Sequence, residues 1–310
     1  MPMGLFTRAR SDENSQRRCA VELAGLEPSH RREVMSQLCF DRIDCKQEYI
    51  SDAYHDTENW NETAYFMLMR ALDIGPNRHA YEQLARLLPY RILDKVSHER
   101  RSVEALLLGT AGLLDRLSMV MSESKEVAEL KSIYEYDAHK YNLQPMEFSA
   151  WQLAGVRGDN HPVVRLMQVA KILSHTDHLL DALLECRTRD DVEKLFCNSE
   201  IPLWAYRFLS GGSGKGAISR TKAQMLGINV VAQMQISYSE YTMRSDLNVR
   251  GLDLLEQLPA EYNSFVRRWA KLGVVAENAL DSQALLQLSK VYCALSACDK
   301  CPFRRFIETK

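Results

Sequence analysis

An all-α protein, built as an irregular multi-helix bundle with little or no sheet, is what this sequence predicts. Only 14 glycines and 9 prolines interrupt 310 residues, well below the roughly 12% that these chain breakers usually make up together. Apolar residues recur three and four positions apart in segment after segment, as they do on a buried helix face. No segment sustains the period-two alternation of a half-buried strand.

Residues 1–18 are polar and are expected to form a flexible N-terminus. Beyond them the chain reads as an N-terminal helical half over 19–144 and a C-terminal half over 145–310. The division falls in the irregular stretch 142–160, which holds Pro145, Gly155 and Gly158. In the first half, Ser29 opens a long helix striped by Val34, Leu38, Ile43 and Ile50. Asn61 is expected to cap the next helix, and Pro89 to close the one after it. Residues 99–115 read as a buried helix, apolar all round, in which Gly109 and Gly112 leave room for a neighbour. An amphipathic helix follows over 123–141.

In the second half, Pro162 stands in a first turn, where its missing N–H costs nothing, and a strongly apolar helix runs from it to about Leu173. Thr188 caps a short helix. Gly211-Gly212-Ser213-Gly214 is a flexible loop. Further helices are expected over 217–225, 228–241, 251–257, 260–272 and 281–297, the last ending in a cysteine-containing loop.

Composition excludes several functions. A net charge of −2 lacks the basic surplus of a dedicated nucleic-acid binder. With 46% hydrophobic and 26% charged residues, the chain has enough apolar material for a large core and too much for disorder. The longest apolar stretch, 105–114, is too short to span a membrane. The N-terminal residues offer no signal-peptide core, so a cytoplasmic location is expected, with the eight cysteines reduced.

Two places carry chemistry. Cys293, Cys298 and Cys301 are spaced C-x4-C-x2-C, as are three ligands of plant-type ferredoxins, and zinc is the other metal such thiolates hold. A fourth ligand is expected from Cys186, Cys197 or a histidine. The alternative is a buried core thiol at Cys293 with the others closing the C-terminus. The second place is 151–168, where Arg157, Asn160, Arg165 and Gln168 interrupt apolar sequence. Polar groups on a buried helix must pair internally or line a cavity. Glu104 is the expected partner of Arg165, with Gln283 on the wall of the same pocket. The alternative is that the arginines tie an irregular connection to helix ends. Ser210-Gly211-Gly212-Ser213-Gly214-Lys215-Gly216 fails as a phosphate loop, because Gly216 stands where a magnesium-binding Ser or Thr is needed.

The segments 59–77 (NWNETAYFMLMRALDIGPN), 103–114 (VEALLLGTAGLL), 151–168, 229–234 (NVVAQM) and 258–301, taken in order, resemble a bacterial family defined as a domain of unknown function (number 2851). The resemblance covers roughly residues 19–301, and the family's closing pattern is similar to Tyr292, Cys293, Cys298 and Cys301. Members carry a substantial region before the part matching Cys19, which this chain is expected to lack. The resemblance implies no catalytic residue. Two functions follow as expectations. One is a helical structural or interaction module that docks another protein. The other is a metal-binding enzyme or nucleic-acid-processing accessory that uses the C-terminal cysteines and an arginine-lined pocket.

Overall fold

The computed structural model describes residues 13–122, 124–156, 158–202, 204–205 and 216–304. Among these it contains 16 α-helices and no strand. The nearest approach to sheet is an isolated antiparallel bridge between Pro259 and Asn278. None of the helices is long and apolar enough to cross a membrane. The helices are α1 (Glu13–Ala24), α2 (Pro28–Thr57), α3 (Trp60–Ala71), α4 (Arg78–Leu87), α5 (Tyr90–Val96), α6 (Arg100–Thr110), α7 (Leu114–Val120) and α8 (Lys125–Tyr141). After the connection at 142–160 come α9 (Pro162–Leu173), α10 (Leu179–Glu185), α11 (Arg189–Cys197), α12 (Arg220–Leu226), α13 (Ala232–Thr242), α14 (Ser245–Gln257), α15 (Ser264–Lys271) and α16 (Ala279–Gln287).

The chain forms two compact units, one of residues 1–49 and 252–310, the other of 50–251. It passes between them within α2 and returns within α14. The stretch 142–160, read from sequence as a division between halves, lies inside the second unit. Backbone and side-chain bonds fix it there. Met146 N–H donates to Thr110 O at 2.8 Å, and the Trp151 indole donates to Ala111 O at 2.8 Å. Asn77 and Gln152 exchange two bonds, at 2.7 and 3.0 Å.

In the second unit α6 packs against α8 and α9, and α3 against α4 and α10. Gly109 in α6 and Gly112 just after it set this arrangement. A Cβ on Gly109 would lie 2.2 Å from the ring of Tyr134 in α8. Gly112 has φ +68° and its Cβ would meet Met146 O at 2.2 Å, so the helix expected over 99–115 stops there and α7 starts afresh. Asn59, not Asn61, caps α3. Its backbone is extended, and its Oδ1 accepts from the N–H groups of Asn61 and Glu62. The buried Glu62 carboxylate in turn accepts from Tyr90 N–H at 2.6 Å and Arg91 N–H at 3.0 Å, capping α5 from 28 residues away. Thr188 caps α11 in a reciprocal box with Asp191.

In the first unit the Trp269 indole donates to Ser289 Oγ at 2.7 Å, and Tyr292 donates to Asp41 at 2.7 Å. These bonds join α15 and α2 to the segment after α16. The helix expected over 281–297 is regular only to Gln287. It continues as a π-helical turn over Leu288–Cys293, just as Gly227–Val231 forms a π turn between α12 and α13. Such turns carry one residue more per hydrogen-bonded ring than an α-helix, and they recur at functional positions.

Candidate functional site

The N-terminal turn of α9 gathers three of the sequence-predicted polar residues. Pro162 starts the helix, and the His161 imidazole caps it by accepting from Val163 N–H at 3.3 Å. The apolar face of α9, with Val163, Leu166, Met167 and Ala170, is buried, and Arg165 is carried inward with it to 5% exposure. Its guanidinium donates to Gln168 Oε1 at 2.8 Å and to Asn160 Oδ1 at 2.7 Å. Gln168 passes the chain on, donating to Gly216 O at 2.7 Å.

Every one of these acceptors is neutral. Among the described residues no carboxylate comes within ion-pair reach of Arg165, and its Nε has no partner. The Tyr81 hydroxyl, also buried and without a partner, is near enough that the two groups shift each other's titration. Burial holds the Arg165 guanidinium below its usual range, opposed by the charge fields of Tyr81, Asp159 and Asp73. An unneutralised buried guanidinium of this kind is costly. Arg157 lies outside the described residues.

Glu104 is not the partner of Arg165. It is 1% exposed and accepts from Arg100 at 2.6 Å and Arg101 at 3.4 Å, four and three positions before it on α6. Those neighbours share its helix face and reach it without a tertiary arrangement. Gln283 is engaged within the first unit, where its Oε1 accepts from Lys46 at 2.7 Å and its Nε2 donates to Glu261 at 3.0 Å. That chain holds a feature the sequence did not signal. The pKa of Lys46 is lowered to about 7, first by burial and then by Arg42, against the pull of Glu261 and Cys39.

Cys293, Cys298 and Cys301 belong to the first unit. Cys293 is pushed up to about 12 by burial first, then by the charges of Cys301, Cys19 and Cys298. Cys19, on α1, is thus among the groups whose charge acts on Cys293. Cys186 and Cys197, the expected sources of a fourth ligand, belong to the second unit, where Cys186 donates to Ala182 O. All eight cysteines are free thiols. Among the described residues no group of three or more His, Cys, Asp or Glu side chains is set as it stands to hold a metal ion.

Cavities open on the second unit among the described residues. One of about 270 Å³ lies at the start of α9, lined by Leu113, Arg116, Leu117, Phe148 and His161 among others. A more open one of about 430 Å³ is lined by Asp190, Glu193, Lys194 and Arg220. The charges of the second are internally matched, since Glu193 pairs with Arg189 at 2.8 Å and Arg220 at 3.5 Å. The first is mostly apolar, and of its lining residues His161 and Val163 stand between Asn160 and Arg165 in the sequence.

The fold and site define an all-helical protein with a buried, uncompensated arginine at the head of one helix. The chain belongs to the family described as "Protein of unknown function (DUF2851)", whose profile matches residues 7–264. Cys293, Cys298 and Cys301 lie beyond the matched range. No curated protein and no solved structure matches the chain.

Proposed function

We propose that the protein is a helical binding module whose second unit takes a small anionic group, a carboxylate or a phosphate, at Arg165. The reading rests on one observation: a guanidinium at 5% exposure, bonded to two neutral amide oxygens and with its Nε unbonded. Arginine cannot escape burial by losing its proton, so an anion is the group that completes this environment. Asn160 and Gln168 orient the guanidinium from two sides, and the Tyr81 hydroxyl is a further donor for the bound group. A cytoplasmic location fits the free state of the eight thiols.

The test is thermal unfolding of the full chain in phosphate, sulfate or acetate at constant ionic strength, for wild type and Arg165→Met. A saturable rise in midpoint in wild type, absent in Arg165→Met, supports the proposal through linkage. Equal rises in both proteins, or none in wild type, overturn it. Isothermal titration of wild type with phosphate gives the same decision if the variant does not fold.

A second reading, docking of another protein, is favoured by the α7 face. Met119 and Val120 are 74% and 59% exposed, and α7 also lines the apolar cavity through Leu117.

A further inference from the structure

We propose that the cavity where α7, the 142–160 connection and the start of α9 meet binds a small carboxylate with a short apolar tail, of the size of hexanoate. Its walls are held by bonds that need no ligand. Leu113, just before α7, and Arg116 and Leu117 within it form one wall. The positive φ of Gly112, +68°, starts this segment in a new direction. A second wall is Phe148 with Leu153. Met146 and Trp151, on either side of Phe148, fasten it through their bonds to Thr110 O and Ala111 O, each 2.8 Å. His161 and Val163 in the first turn of α9 form the third wall. The enclosed volume of about 270 Å³ lies at the lower edge of ligand pockets. It takes about nine groups of the volume of a water molecule, which is the bulk of hexanoate.

The lining sorts into hydrocarbon and donors. The leucines and Val163 offer only apolar surface, which gains from contact with an apolar group and from nothing else. The polar side chains are Arg116 and His161, and among the described residues no carboxylate lines the cavity. Arg116 is exposed, and its guanidinium carbon stands 5.7 Å from the centre of the Phe148 ring, a cation over the face of a wall residue. The carboxylate beside it in sequence, Asp115, is engaged with Lys131 at 2.9 Å. The His161 Nδ1 accepts from Val163 N–H, so the neutral ring carries its proton on Nε2. Burial lowers the pKa of this imidazole, which keeps it neutral at pH 7. A cation at the edge of an apolar space, with no anion in the lining, complements a carboxylate head on a hydrocarbon tail. The guanidinium is the group that takes a carboxylate by two parallel bonds. Arg165 is not among the lining residues, so this site stands independently of the anion proposed there.

The experiment is isothermal titration of the full chain with butyrate, hexanoate, decanoate and hexan-1-ol at pH 7 and constant ionic strength. Hexanoate is expected to bind saturably and about tenfold more tightly than butyrate, because each buried methylene contributes a factor of about three to four. Decanoate should gain nothing further, since its tail exceeds the cavity. Arg116→Met keeps an apolar stem and removes the charge. It is expected to weaken hexanoate about tenfold or more and to erase its advantage over hexan-1-ol. Arg267→Met is the matched control and should bind as wild type does. That exposed arginine also stands over a ring, Tyr262, at 5.2 Å, but in the first unit. Absence of saturable hexanoate binding overturns the proposal, as does an affinity equal for butyrate and hexanoate. A gain that continues unchanged to decanoate, the mark of adsorption to a surface, overturns it too. So does an Arg116→Met chain that binds hexanoate as tightly as wild type. If that variant does not fold, wild type decides alone: hexan-1-ol bound as tightly as hexanoate overturns the proposal, and a clear preference for hexanoate supports it.

Discussion

The ring of Tyr134 lies directly on Gly109, so close that a Cβ at that position would sit 2.2 Å from two ring carbons. The atoms met are the Cγ and Cδ2 of the ring, near its attachment rather than at a free end. Relief therefore requires α8 to move, not a tip to swing. Alanine normally gains ~0.5–1 kcal/mol over glycine inside a helix. Here overpacking outweighs that gain, and Gly109→Ala is expected to lose about 2–3 kcal/mol net. Urea unfolding measures it, and Tyr134→Ala in the same chain should recover most of the loss. An additive double variant would show that the two residues are not coupled.

Lys46 makes stability depend on pH in the alkaline range. Its folded pKa of about 7 lies below its ordinary 10.5, so between those values the unfolded chain binds the extra proton. Stability therefore rises with pH across that window. Relative to Lys46→Met, wild type should gain stability steadily from pH 7 to 9.5. Arg42, Lys290, Glu261 and Cys39 face the same ammonium and remain in both proteins. A difference between the two that stays flat with pH would exclude a depressed lysine.

Glu104 behaves opposite to an exposed ion pair. Burial raises its pKa, more than Arg100 and Arg101 lower it. Between the ordinary value of 4.5 and the raised one, the folded chain holds the extra proton, so stability falls as pH rises through that interval. The advantage of wild type over Glu104→Gln should be largest near pH 4 and shrink toward neutrality. Because the arginine side chains keep 28% and 34% of their exposure, the loss at pH 7 should be about 1–2 kcal/mol, below the ~3–5 of a stranded buried charge. Chemical unfolding at pH 4, 5.5 and 7 checks both sign and size.

Helices were legible in the sequence because burial imposes a period that propensity supports. Thr188 with Asp191, Gly109, and Pro162 at the start of α9 also announced themselves through local chemistry. What failed was pairing. Glu104 has strong arginine neighbours at three and four positions back, and this local solution defeats a tertiary guess. Gln283 was singled out without its partner, Lys46, which lies 237 residues away. Cys19 carried no signal either as a group acting on Cys293, because their distance in the sequence erases any spacing rule. The long-range cap that Glu62 supplies to α5 is of the same kind, a bond whose partners only the folded chain brings together. Asn160, Arg165 and Gln168 were found together because five and three positions separate them, within reach of a single helix start.

The π turn at Leu288–Cys293 makes the heading of one thiol a matter of counting. Each residue of an α-helix advances about 100° around the axis, and a π turn spends one residue without completing that advance in the usual register. Were the segment regular, Cys293 and all that follows would face roughly a quarter turn away. Gln16 in α1 donates to the Cys293 sulfur, and the side of the helix that shows it this sulfur is thus encoded by chain length. Removing one residue between Leu288 and Cys293 would re-aim the thiol while leaving every cysteine in the sequence.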